Sequence, residues 1–264
     1  MVIVTQIGRT NARVRLEGPG ARGAAVVLSW SAVSHTGNRR TANEDSSLSE
    51  PPVFAVADGM GGHSAGDVAS AAVVGRLSAI TGARTDADTI EAALELALAD
   101  IDRVGDESVL GTGTTVTGAA LSELEGELGW LVFNIGDSRT YLYEHGALQQ
   151  LTVDHSVVQE LVDAGLITRE QAETHPDSNV ITRAVGFHEK PVPDYGTVAL
   201  ATGQRLLLCS DGLTKELTEV GIQHYLATTD TADRAAVELV TAALANGGRD
   251  NITVVVVDVE AADD

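Results

Sequence analysis

Apolar residues along the chain fall into two kinds of run. Val53 to Ala57, Leu206 to Cys209 and Ile252 to Val257 are almost unbroken apolar stretches of strand length, as expected of buried strands. Elsewhere apolar positions recur every three or four residues. Val68, Ala69, Ala72, Val73 and Leu77 predict a helix after Gly66, and Ile90, Ala93, Leu94, Leu96, Ala97, Leu98 and Ile101 predict another over Asp88 to Arg103, with Asp86 or Asp88 as N-cap. Val26 to His35 alternates as a strand, and Thr114–Leu121, Gly129–Ile135, Arg139–Glu144 and a short stretch near Leu148 read as antiparallel strands. Further helices are expected at Val157–Ala164, Thr168–Glu173 (opened by a Thr-Arg-Glu-Gln capping pattern), Leu213–Val220 and Asp233–Leu244. No repeat of solenoid length is present. Strands at the centre with helices between and after them predict two packed sheets flanked by helices, an α+β class.

Composition narrows this picture. A chain of 264 residues, 44% hydrophobic, has enough apolar surface for one sizeable core, and with aromatics at only 3% that core is built from Ala, Val and Leu. The net charge of −21 argues against nucleic acid as a partner. It suits a chain that holds divalent cations, although a solvated acidic surface gives the same sign. One cysteine, Cys209, excludes an internal disulfide and reads as a buried, inert thiol compatible with a reducing compartment. No apolar run approaches the length of a membrane span, and Met1 to Ile7 lacks the charged start and cleavage site of a secretory signal, so the cytoplasm is the expected location. Residues 1–27 stand apart. Arg9, Arg13, Arg15 and Arg22 against Glu17 make this segment locally basic, and Gly18-Pro19-Gly20 and Gly23 break it. It is expected to be a flexible extension, partly pairing as an edge strand, with a basic arm folded back on the acidic body as the alternative.

The chemistry sits where apolar runs end. The strand Val53 to Ala57 climbs to Asp58-Gly59-Met60-Gly61-Gly62-His63 and then becomes helical. A lone Asp-Gly is ordinarily a turn, yet glycine also lets a main-chain carbonyl approach a ligand. Asp211-Gly212 follows Leu206 to Ser210, and Asp250-Asn251 precedes Ile252 to Val257. Three carboxylates at the edges of separate strands look like one hard-cation site assembled from distant parts of the chain, and an oxygen-only ligand set favours Mg2+ or Mn2+ over zinc. Arg40 lies in a charged loop, and its planar fork suits two oxygens of a phosphate.

The blocks Gly37-Asn-Arg-Arg40-Thr-Ala-Asn43-Glu44-Asp45, Ala57-Asp58-Gly59-Met60-Gly61-Gly62-His63, Gly113-Thr-Thr115, Gly136-Asp137-Ser-Arg139, Ser210-Asp211-Gly-Leu213 and Gly248-Arg-Asp250-Asn251 resemble, in order, the bacterial PPM (PP2C-type) metal-dependent serine/threonine protein phosphatases. The resemblance spans about Trp30 to Val259. It implies a four-layer α-β-β-α sandwich of two mainly antiparallel sheets with the metal site at one end, a phosphatase domain over 28–260, and a flap subdomain over about 154–195. It also implies hydrolysis of phosphoserine and phosphothreonine by metal-activated water without a phosphoenzyme. Asp58 would bridge two cations, the Gly59 carbonyl would serve one of them, Asp211 and Asp250 would complete the other, and Asp137 would help bind a third. Arg40 would hold the phosphate, Glu44 and Asp45 would orient water, and His63 would protonate the leaving oxygen, with a structural helix-capping histidine as the competing reading. The three flap histidines, His155, His175 and His188, are irregularly spaced and read as solvated loop positions. Phosphorylated proteins, targets of serine/threonine kinases, are the expected partners of a monomer. A cysteine-dependent phosphatase is disfavoured because Lys215 stands where its arginine is needed, six residues after Cys209. A silent phosphoprotein- or metal-binding scaffold of the same fold is the remaining alternative.

Overall fold

The computed structural model describes residues 5–10, 12–17, 25–61, 65–104 and 111–262. In chain order the strands and helices open with β1 (Thr5–Gly8), β2 (Ala12–Leu16), β3 (Val26–His35), β4 (Asp45–Glu50), β5 (Val53–Met60), α1 (Gly66–Ser78) and α2 (Ala87–Val104). The centre holds β6 (Gly113–Thr114), β7 (Val116–Leu124), β8 (Glu127–Ile135), β9 (Arg139–Glu144) and β10 (Ala147–Gln150). Then come α3 (Val157–Asp163), α4 (Arg169–Glu173), β11 (Val185–Gly186), β12 (Asp194–Ala199), β13 (Arg205–Cys209), α5 (Asp211–Thr214), α6 (Glu219–Thr228), α7 (Ala232–Asn246) and β14 (Ile252–Ala261).

Two sheets result. The first runs β1-β4-β5-β7-β8-β12 with the short β6 and β11 attached, and the second runs β10-β9-β13-β14-β3-β2. Every described pairing is antiparallel except β1 on β4. Three separate cores show why the central strands are apolar at every position. Val53, Ala55 and Ala57 face α1 and α2, while Phe54 and Val56 face the other sheet. Leu206, Leu208, Val255 and Val257 meet them between the sheets, and Leu207, Cys209, Val254 and Val256 turn out to α6 and α7. A strand with a helix layer on one face and a sheet on the other has no polar side, so its sequence loses the alternation of a half-exposed strand. The expected four-layer sandwich is observed.

Some expectations hold and others change. Within residues 1–27, Thr5–Gly8 extends one sheet on β4 and Ala12–Leu16 extends the other on β3, so the edge-strand pairing expected in part of this segment is observed, at two places. The Trp30 indole donates to the carbonyls of Arg9 and Ser49 at 2.7 Å each, and Arg13 pairs with Glu260 at 2.8 Å. A boundary at 27 also falls inside β3. The expected helix Leu213–Val220 is instead two, α5 and α6, because Thr218 caps a new helix by accepting from the Gly221 N–H.

Phe54 sits fully buried between Trp30 and Trp130, edge-on to both with ring centroids 5.5 and 6.1 Å away. Phe54→Ala should cost about 3–5 kcal/mol in urea unfolding, and a loss below about 1 kcal/mol would show that the two sheets do not depend on this contact.

Candidate metal centre

Antiparallel pairing brings the ends of several strands to one end of the sandwich. Asp45, first residue of β4, is register-paired with Asp58 near the end of β5. Asp211 follows β13 and Asp250 precedes β14, whose ends are paired as Cys209 with Val254. Asp137 occupies the turn between β8 and β9. The structure therefore gathers Asp45, Asp58, Asp137, Asp211 and Asp250 from five separate stretches.

Backbone and hydroxyl contacts hold them. The Thr115 N–H donates to the Asp58 carbonyl at 2.9 Å, and the Asp58 N–H donates to Thr115 Oγ1 at 3.1 Å. Thr115 Oγ1 is 2.7 Å from Ser138 Oγ, tying one sheet to the turn that carries Asp137. Ser210 Oγ donates to Asp45 Oδ2 at 2.9 Å across the sheets. Asn251 accepts from the Glu44 N–H at 2.9 Å and donates to the carbonyls of Thr36 and Ala42, which pins the Arg40 loop to the start of β14. Two glycines make the approach possible. A Cβ on Gly59 would lie 2.1 Å from the Gly66 oxygen, so only glycine lets the start of α1 press against the strand end. Gly136, at φ +106, leaves no room for a Cβ beside Thr115.

The carboxyls repel one another. Burial, then the charges of Asp45, Asp211, Asp137 and Asp250, drive Asp58 well above the usual carboxylate range. Burial pushes Asp45 up to about 7 despite the hydroxyls of Thr253 and Ser210, and burial with Asp211 pushes Asp137 up to about 7 despite Lys215. Burial also raises Glu44, against the opposing charge of Arg40. Two side-chain cations enter the cluster. Arg40 grips both Asp250 oxygens at 2.8 Å, and the Lys215 ammonium pairs with Asp211 Oδ2. Turned onto these partners, no three of the described acidic groups stand in ready-made ligating positions. Yet Asp45 Oδ1 and Asp211 Oδ1 are buried without any hydrogen-bond partner. Orphaned carboxyl oxygens in an oxygen-only cluster are the donor chemistry of Mg2+ or Mn2+, so the residues present fit such ions.

A protein phosphatase 2C family model matches residues 35–246. The chain belongs to the protein phosphatase 2C family. It is 39% identical over 216 residues to the serine/threonine phosphatase stp of Listeria monocytogenes serotype 4b (strain F2365), spanning 78% of this chain and 84% of the relative. Among solved structures, the Mycobacterium tuberculosis serine/threonine phosphatase PstP/Ppp matches with a TM-score of 0.81 at 37% identity, covering 89% of this chain and 99% of that one. The catalytic domain of serine threonine protein phosphatase PstP in complex with two manganese ions matches with a TM-score of 0.79 at 36% identity, covering 89% and 99%.

In this phosphatase 2C chain Asp154 and His155, which follow β10, are fastened beside the turn that carries Asp137. Arg139 forks onto Asp154 with contacts of 2.6–3.1 Å. His155 is not a solvated loop residue. It is 5% exposed, accepts from the Gly136 N–H through Nδ1 at 3.2 Å and contacts Asp194 Oδ2 through Nε2 at 3.1 Å. Its position directly after Asp154 was the available signal, since the chain holding Arg139 must also pass the Asp137 turn. His188, by contrast, is exposed and pairs with Asp102. His63 lies outside the described residues. No described helix is long and apolar enough to cross a membrane.

With divalent cations chelated, the raised carboxyls Asp45 and Asp137 contribute stability that is complete below their ordinary value of 3.8 and lost as pH rises through about 7. Thermal unfolding in chelator should therefore show stability falling from pH 5 to pH 8, and Asp137→Asn should flatten that fall. Identical pH dependence in parent and variant would contradict the repulsion.

Proposed function

We propose that this phosphatase dephosphorylates phosphoserine and phosphothreonine in proteins, with Asp58, the Gly59 carbonyl, Asp211 and Asp250 as the residues that hold two divalent cations, Mn2+ or Mg2+. Asp137 and Asp211 would share a third, weaker one. The observation that carries the reading is the convergence of five carboxyls with two orphaned, buried oxygens, Asp45 Oδ1 and Asp211 Oδ1. The cations, when bound, supply Lewis-acid chemistry that makes water a nucleophile near neutral pH and offsets phosphoryl charge.

The chain's own residues do the rest. Asp45, fixed through Oδ2 by Ser210, keeps Oδ1 free to accept from and orient a water. Arg40 presents a guanidinium fork to phosphate, and the same fork holds Asp250 until a competitor draws either partner away. Glu44, beside the first residue of α1, adds a second acceptor at that edge. No covalent nucleophile is needed: the Cys209 thiol is buried and burial pushes it up to about 12, so it stays protonated. The partners would be phosphoproteins made by serine/threonine kinases, met by a monomer in the cytoplasm.

Phosphate release from a phosphothreonine peptide should require Mn2+ or Mg2+ and cease in excess EDTA, while Asp58→Asn and Asp250→Asn should lose most activity with unchanged circular dichroism. A folded, metal-loaded parent that binds the peptide without hydrolysing it would favour the scaffold reading. Arg40→Ala should lower kcat/KM by about 1.5–3 kcal/mol, roughly 10- to 160-fold, mainly through KM. Unchanged kinetics would make Arg40 a loop residue only.

A further inference from the structure

The acidic end of the sandwich contains a cation of its own that the reading above leaves without a role. Lys215 closes the single turn of α5 that begins at Asp211, its N–H donating to the Asp211 carbonyl at 2.8 Å. That spacing of four residues returns its side chain over the turn toward Asp211, where the ammonium pairs with Oδ2. Lys215 is only one-third exposed and Asp211 still less, at 33% and 14% of their side chains. An ion pair withdrawn from solvent to this degree is weakly screened. The Lys215 charge also reaches beyond its partner, offsetting repulsion at Asp137 and attracted in turn to Asp137 and Asp58. Arg40, the other basic group, pairs with Asp250.

Resting on the metal-dependent reading, we infer that Lys215 is a positioning residue whose tethered ammonium competes with a divalent cation for the Asp211–Asp137 pair. A lysine head brings one positive charge and three donors to the place where a divalent ion would bring two charges. It thus neutralises the pair when ions are scarce and must swing away before a third ion binds. The consequence is specific to one position. The two core ions, held through Asp58, the Gly59 carbonyl and Asp250 as well as Asp211, feel Lys215 less, whereas the third is held weakly and responds to the concentration of free metal.

Equilibrium dialysis against Mn2+ tests this with Lys215→Gln, Lys215→Met and Lys215→Arg beside the parent. The parent should take up two ions tightly and one weakly. Lys215→Gln and Lys215→Met should tighten the weak ion by about tenfold or more, since a unit charge a few ångströms away is removed, and should tighten the core pair by a smaller factor. Lys215→Arg, which keeps the charge, should behave as the parent. The gain in Lys215→Gln should vanish when combined with Asp137→Asn. Thermal unfolding in EDTA supplies a second readout, with Lys215→Gln melting below the parent and recovering a larger increment on adding Mn2+. An unchanged weak site in both neutral variants, a third ion absent from every protein, or a gain that survives Asp137→Asn would overturn the inference while leaving the two-cation reading intact. A parent that binds no ion would overturn both.

Discussion

Mutual repulsion among Asp45, Asp58, Asp137, Asp211 and Asp250 is the constraint on which the rest of the molecule turns. Each carboxyl is delivered by a strand end or a turn, and separating them would lower the electrostatic energy. They stay together because the strands behind them are committed elsewhere. Three apolar cores, one between the sheets and one under each helix layer, fix the strand positions regardless of what the ends would prefer. Stability made in the body of the sandwich thus offsets strain at its end, a distribution common at functional sites.

Precision at that end comes from small polar groups rather than bulk. Ser210 reaches Asp45, Thr115 reaches Ser138, and Thr117 lies 2.8 Å from Thr140, so hydroxyl contacts join the two sheets where the carboxyls emerge. Asn251 does the same for the Arg40 loop. Asp154 and His155 enter this scheme too, since their contacts to Arg139 and Gly136 place them against the Asp137 turn.

How much of this was readable from residues alone depended on what each segment packs against. β5, β13 and β14 are covered on both faces, so their apolar runs were plain, and α1, α2 and α7 showed their stripes. β4 was not legible. Asp45-Ser-Ser-Leu-Ser-Glu50 reads as a polar loop, yet its first five residues are buried, because Ser46 meets Ser70 and Ser49 donates to the Arg9 carbonyl. β12, at a sheet edge, has every residue exposed or half-buried in no regular order, so it carries no clear pattern. β1 depends on a partner, β4, that lies about forty residues along the chain, and β2 on β3 across a glycine-rich connection. The acidic residues at strand ends were legible as a set, since Asp-Gly and Asp-Asn punctuate apolar runs. The contacts that tune them were not: the Lys215–Asp211 pair looks like an ordinary helix-surface spacing until Asp137 is folded beside it, and His155 looks like a loop histidine until Gly136 and Asp194 close around it.

The central claim is that these carboxyls are gathered to hold divalent cations. Anomalous scattering at the manganese edge, from crystals grown with Mn2+, tests it most directly. The account predicts peaks in ligating contact with Asp58, one of them also touching the Gly59 carbonyl and another touching Asp211 and Asp250. A fully formed end of the sandwich with Mn2+ in the medium and no peak at Asp58 would contradict it.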